Sequence, residues 1–333
     1  MNDVFILGAG FSKAICPQMP TLKELTDEVI KRLWRSEEKK PPALAGLNSD
    51  IEAWITYLSQ RQPWLREDEI VFNRYLAAEI RDQIGEIIRK STSLASEQKV
   101  PKWLSQLIYS WHYAQTTIIT LNYDTLVERA TTAVMEKNDQ IEIWSSLLYP
   151  RYLCPDGVRT EGKTLHQTSL ETFKLLKFHG SINWYYSGRE EFFGETIFFS
   201  EDLPYGQSDV LGPDFRSPFV EDKELLVIPP VADKSTYFNN ESIKKIWRSG
   251  GDALRQADRV FFVGYSLPSS DLGMRFFLQR NCPEKQKVPI FLVNTDIEVL
   301  NHYKASLGWN FMDRFVQDDK PILNFVQCYP DIC

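Results

Sequence analysis

Three short polar clusters follow apolar runs, and they carry the side chain types that bind nucleotides and move protons. Gly8-Ala9-Gly10-Phe11-Ser12 follows Val4-Phe5-Ile6-Leu7, Thr120-Leu121-Asn122-Tyr123-Asp124 closes the run from Thr117, and Lys177-Phe178-His179-Gly180-Ser181 ends the run from Leu175. Small residues after a buried strand let the backbone approach a pyrophosphate, and amides opening the next helix offer it donors. Gly8-Ala9-Gly10 is half of a dinucleotide fingerprint, and equally the pattern of a tight strand-to-helix turn with no ligand. The third glycine is missing, and helical sequence stands where a second strand should bring an acidic residue to a ribose, which disfavours hydride transfer. Asn122 can hydrogen-bond a hydroxyl or hold a water, whereas Asp124 suits the cap of a helix beginning at Thr125 as well as it suits a site. His179 places an imidazole, the side chain type suited to proton transfer near neutral pH, at a strand end, and Gly180 permits an abrupt turn beside it. Of the other three histidines, His112 lies in an aromatic-rich helical stretch, and His166 and His302 have polar surroundings. None has metal-ligand spacing to another.

These clusters need strands to hold them. Val4–Leu7 and Thr117–Leu121 read as buried parallel strands, and between them apolar residues recur at helical spacing over Leu22–Trp34, Ile51–Leu58, Ile70–Ile88 and Trp103–Trp111. Pro41-Pro42 and Pro63 punctuate these helices, and Pro101 is placed to open the last. Beyond them the pattern predicts a helix over Asp124–Met135, strands at Leu175–Phe178 and Leu225–Ile228, and helix Ser242–Gln256. There follow strand Val260–Val263, helix Asp271–Gln279, strand Ile290–Val293, helix Glu298–Ser306 and a late strand near Leu323–Val326. The polar, aromatic stretches Tyr149–Thr172 and Tyr186–Glu224 read as loops over a site. The predicted fold is α/β, a doubly wound, mostly parallel Rossmann-like sheet with a helical insertion after the first strand. Residues 1–20 and 116–333 form the Rossmann-like domain and 21–115 the insertion.

Composition narrows the function. The 333 residues are 43% hydrophobic and 25% charged, an ordinary globular balance. The formal net charge of -7 argues against a protein that lives on phosphate-backbone attraction, so direct nucleic-acid binding is not expected. No export signal is read at the N-terminus, and no apolar stretch approaches the roughly 18 residues that span a bilayer, so a cytoplasmic protein is expected. The five cysteines, Cys16, Cys154, Cys282, Cys328 and Cys333, are never spaced Cys-x-x-Cys. They are expected to be free thiols, mostly buried, and no metal is expected.

The clusters resemble, in this order, the sirtuin-like family, and within it the bacterial NAD-degrading effectors of anti-phage defence. Two later segments fit as well. Gly264-Tyr265-Ser266-Leu267 resembles the family's Gly-x-Ser segment beside the NAD phosphates and ribose, and Val293-Asn294-Thr295-Asp296 its adenosine-ribose segment. The cysteine pairs of the deacylase zinc ribbon are missing, and Met19-Pro20-Thr21-Leu22 stands where deacylases have an Ile-Pro-Asp-Phe-Arg type segment.

The resemblance therefore implies NAD+ as substrate, with cleavage of the nicotinamide glycosidic bond by water, and NAD depletion as the defensive act. It implies cofactor contacts at Gly8, Ala9, Gly10, Phe11, Ser12, Gly264, Ser266, Asn294 and Asp296. Asn122 would hold ribose and water, His179 would act as general base, and Asp124 would orient or charge-balance the pair. It implies a homo-oligomer and a separately encoded regulatory protein partner, since little chain follows Asp296 for a sensor. An ADP-ribosyl transferase or cyclase, or a nucleotide-binding sensor or assembly subunit without turnover, is the alternative. Trp184 and Tyr185 could stack on nicotinamide or serve as core or rim aromatics. Lys234 could meet a phosphate or be a surface lysine, and Glu37-Glu38-Lys39-Lys40 reads as a solvated helix end.

Overall fold

The computed structural model describes residues 1–35, 41, 44, 51–139, 145–150, 153–155, 172–187, 197–200, 205, 223–228, 239–282, 288–308, 312–316 and 320–329. Pro42, His166, Lys234 and Glu37-Glu38-Lys39-Lys40 lie outside them.

Six strands form a wholly parallel sheet: β1 (Asp3–Leu7), β2 (Thr117–Thr120), β4 (Lys174–Lys177), β8 (Arg259–Val263), β9 (Ile290–Asn294) and β10 (Met312–Val316). Their order is β10-β9-β8-β1-β2-β4. Every residue of β1 and β8 is buried, because helices cover both faces; Val4–Leu7 and Val260–Val263 are accordingly apolar, and the charged first residues, Asp3 and Arg259, satisfy each other, with Arg259 Nε donating to Asp3 Oδ1 at 2.8 Å. Alternation of side chains then sorts the aromatics. Phe5 stacks on Phe261 at 4.6 Å and Phe261 on Phe291 at 4.9 Å, with Trp111, Phe325 and Tyr329 over them. The next residue along β8, Phe262, points to the other face and meets Tyr303 at 5.3 Å.

Helices α1 (Ala9–Ile15), α2 (Leu22–Trp34), α3 (Ile51–Ser59), α4 (Glu67–Ser96) and α5 (Lys102–Ala114) lie between β1 and β2. A capping box, Thr21 with Glu24, opens α2, and Pro101 is the N-cap of α5. Then come α6 (Leu126–Asp139), α7 (Ser145–Leu148), α8 (Glu241–Arg255), α9 (Leu272–Asn281), α10 (Ile297–Leu307) and α11 (Pro321–Cys328). None of the helices among the described residues is long and apolar enough to cross a membrane.

Two expectations need correction. The segment predicted as a late strand near Leu323–Val326 is helix α11, with Pro321 in its first turn and Ile322, Phe325 and Val326 buried at helical spacing; the late strand is β10. The stretches Tyr149–Thr172 and Tyr186–Glu224, predicted as loops, hold two short strands among their described residues, β3 (Cys154–Pro155) and β6 (Ile197–Phe199); with β5 (Gly180–Ser187) and β7 (Lys223–Val227), the strand expected at Leu225–Ile228, they form a second sheet in the order β3-β6-β5-β7. Helix α4 packs on it, with Gly85 against Leu225 and Arg89 Nη2 donating to the Ile182 carbonyl at 3.2 Å. Of the three cysteines whose side chains are described, Cys16 is buried, Cys282 half-buried and Cys328 exposed.

Candidate functional site at the carboxyl edge of the sheet

Strand register brings the polar segments to one edge. Leu7 pairs with Thr120 and Val263, Thr120 with Lys177, and Val263 with Val293. The chain therefore leaves β1, β2, β4, β8 and β9 along a single line, where ligands of open α/β sheets bind. Gly8–Ser12, Asn122–Asp124, His179, Gly264–Ser266 and Asn294–Asp296 all follow from there.

The glycines serve the protein before any ligand. A Cβ on Gly8 would sit 2.5 Å from Tyr265 Cα and 2.6 Å from the Gly264 oxygen, and one on Gly10 would sit 2.9 Å from Gly264 Cα. Gly264 has φ +65°, and its Cβ would fall 2.3 Å from the Phe11 nitrogen. The turns after β1 and β8 are thus pressed backbone against backbone. The Gly8 amide donates to Val263 O at 3.0 Å, that of Gly10 to Gly264 O at 2.9 Å and that of Phe11 to Gly8 O at 2.9 Å. Ala9 is exposed, while the Phe11 ring is buried against Trp103.

Asn122, Ser12 and Asp124 form one network. Asn122 Nδ2 donates to the Gly8 carbonyl at 2.9 Å and to Ser12 Oγ at 2.8 Å, and Ser12 Oγ donates to Asp124 Oδ2 at 2.6 Å. Fixing both amide hydrogens fixes the rotamer, and Asn122 is half-buried, so its carbonyl oxygen is held as an acceptor at the sheet edge. Asp124 Oδ1 accepts from the Leu126 amide at 3.1 Å, and its main-chain oxygen accepts from Lys177 Nζ. Asp124 therefore does brace the start of the helix, which opens at Leu126 and not at Thr125. Lys177 is buried and also donates to Glu128 Oε1 at 2.9 Å, which accepts from the Tyr149 hydroxyl at 2.7 Å.

His179 follows β4 and is 3% exposed. Its ring lies 6.4 Å, centroid to centroid, from that of Tyr123, whose hydroxyl donates to Ile228 O at 3.1 Å. Gly180, at φ +76°, makes the turn that follows: a Cβ there would meet Leu226 O at 2.1 Å. His179 Nε2 stands 3.6 Å from Asp271 Oδ2, a carboxylate with no exposed side chain surface. Asp271 was expected only as the first residue of a helix. It is the N-cap of α9, and that local duty accounts for its identity in sequence and hides its tertiary one.

Ser266 is exposed beside the buried Leu267, whose φ of +53° is rare for a branched side chain and strained. Asn294 Oδ1 accepts from the Asp296 amide at 3.3 Å, and Asp296 Oδ1 caps α10 through the Glu298 amide at 2.9 Å. Trp184 is fully buried, edge-on to Tyr149 at 5.2 Å, which makes it a core aromatic; Tyr185 is half-buried. His302 lies 3.1 Å from Arg275, and His112 Nδ1 lies 2.9 Å from Thr172 Oγ1. The edge thus offers a fixed amide oxygen, an imidazole backed by a carboxylate, and exposed small polar groups, a set suited to holding a sugar and moving one proton.

A family model described as a SIR2-like domain matches residues 116–293, over half of the chain. The chain belongs to that family, and membership indicates an NAD-dependent enzyme of the sirtuin type. Among solved structures it is similar to Sir2Tm bound to a propionylated peptide, at 11% identity and a TM-score of 0.44, covering 98% of this chain and 90% of that one. It is also similar to a Sir2–p53 peptide–NAD+ complex, at 12% identity and a TM-score of 0.41, with coverage of 98% and 90%. A third is Sir2 bound to acetylated peptide, at 11% identity and a TM-score of 0.43, with coverage of 98% and 91%. No curated protein matches the chain.

Proposed function

We propose that the protein is an NAD+ hydrolase that releases nicotinamide and ADP-ribose, and that NAD+ depletion makes it an effector of anti-phage defence. The observation that carries the chemistry is the pairing at one sheet edge of an immobilised amide oxygen, Asn122 Oδ1, with a buried imidazole, His179. Breaking a glycosidic C–N bond passes through a state with oxocarbenium character, so the protein must fix the ribose, place a water and accept its proton. Asn122 accepts a hydrogen bond from the ribose or from the attacking water and cannot take the proton, whereas His179 can. Asp124 acts at one remove, anchoring Ser12, which anchors Asn122.

The close contact of Gly8 and Gly10 with Gly264 supports a structural part for these glycines in the proposed site. They build the junction between two turns, and the phosphate contacts fall to the exposed Ala9 amide and the Ser266 hydroxyl on its rim. Asn294 and Asp296 stand on the next strand end out, where the adenosine ribose is proposed to lie.

Chromatography of NAD+ incubated with the protein tests the reading. Nicotinamide and free ADP-ribose in equal amounts support hydrolysis, and a cyclic or protein-linked product makes the enzyme a cyclase or transferase. Binding by calorimetry with no nicotinamide released, in the purified protein or in phage-challenged cells, leaves a sensor.

A further inference from the structure

Asp271 belongs to none of the motif segments, yet its carboxylate is completely buried and faces the imidazole at 3.6 Å. A buried carboxylate is costly unless its oxygens are satisfied. Here Oδ1 accepts from the Met274 amide at 3.1 Å and Oδ2 from the Tyr265 hydroxyl at 3.1 Å, and the amino end of α9 favours the negative charge. Tyr265 is held in turn, its carbonyl accepting from the Tyr303 hydroxyl at 3.2 Å.

We propose that Asp271 is the positioning residue of His179: it keeps a ring proton on Nε2, fixes the ring plane, and stabilises the imidazolium formed when His179 accepts a proton. The catalytic meaning of this coupling rests on the hydrolase reading; the coupling itself does not. In that reaction the water oxygen bonds to the ribose carbon, and the C–N bond breaks with its electron pair leaving on nicotinamide. The water proton passes to His179 and then to solvent.

Among the described residues, the groups seen to face the imidazole come from three elements. They are Asp271 at the head of α9, Tyr265 in the turn after β8, acting through that carboxylate, and Tyr123 in the turn after β2. Tyr303 of α10 stands behind Tyr265, and burial holds its hydroxyl well above the usual range, so it stays neutral. Asp271 is the carboxylate among these.

Asp271→Asn keeps a carbonyl oxygen for the Met274 amide and removes the charge. Histidine resonances of the 13C-labelled protein, with that of His179 assigned by its loss in His179→Gln, should show His179 titrating roughly one unit or more lower in Asp271→Asn. NAD+ turnover should fall about 10- to 100-fold, with the rising limb of its pH profile displaced to lower pH, a shift that a purely structural role would not produce. An unchanged His179 titration in a folded Asp271→Asn protein overturns the proposal. If that variant does not fold, the wild-type titration decides: a value above the ordinary one of about 6.5 supports the pairing, and one at or below it overturns it. Absence of turnover in wild type with a shifted titration would remove the hydrolase reading and leave the coupling standing.

Discussion

Asn122 shows how a single amide can be both structural and chemical. Its nitrogen is committed to Gly8 and Ser12, and that commitment aims its oxygen. Ser12→Ala removes one anchor and leaves the buried Asp124 Oδ2 without its 2.6 Å donor. NAD+ turnover in Ser12→Ala should drop by about 10-fold or more, and in Asn122→Ala by about 10²- to 10⁴-fold, since small misplacements at a reacting centre are costly. Steady-state assays of folded variants check both, and a wild-type rate in Asn122→Ala would make that residue merely structural. Behind this turn, Lys177 and Glu128 are each 1% exposed and bonded to one another. Lys177→Met strands a buried carboxylate and should cost about 3–5 kcal/mol in urea unfolding, with much of the loss recovered when Glu128→Gln is added. Asn122 and His179 were legible in the sequence because each is a polar residue where a buried strand stops. Asp271 was not, because a helix cap explains an aspartate there and only the folded chain reveals its second partner.

Gly264 ties two elements together, and its substitution is an element-scale test. Gly264→Ala brings a Cβ to 2.3 Å from the Phe11 nitrogen at a φ of +65°, so the turns after β1 and β8 must part. Stability should fall by more than about 1 kcal/mol, and the Asn122 anchor on Gly8 should be disturbed with it. Helix α2 depends on pH. Lys13 and the Thr21 amide beside Glu24 hold its carboxyl at about 2 against an ordinary 4.5, so the stabilisation is complete above about 4.5 and is lost as pH falls toward about 2. Hydrogen exchange at the first turn of α2 should accelerate across that window, modestly because both side chains are substantially exposed, and Glu24→Gln should show the same fraying at neutral pH. Most helices and five of the six parallel strands were legible from periodicity; β10 was not. Helix α11 was not, because Leu323–Val326 is a short apolar run that suits either state; Pro321 at its first turn was the deciding signal. Strands of two or three residues, such as β3 and β6, carry too little alternation to be read at all.

At the scale of the molecule, the parallel sheet explains why residues from five separated segments share one edge. Equal register at the strand ends delivers them to one line, and the helices between β1 and β2 leave that register intact. The glycine pattern, which in sequence suits a phosphate loop and a tight turn equally, packs backbone to backbone against the turn after β8, so close approach there is made by a second turn. The proposed place of NAD+ is the rim of that junction together with Asn122 and His179. The hydrolase account is tested most directly by NAD+ cleavage in phage-challenged cells and with purified protein, comparing wild type with His179→Ala of equal abundance and fold. Equal release of nicotinamide and ADP-ribose by wild type, reduced about 10²- to 10⁴-fold in His179→Ala, is the expected result. Undiminished cleavage in a well-folded His179→Ala protein would contradict it.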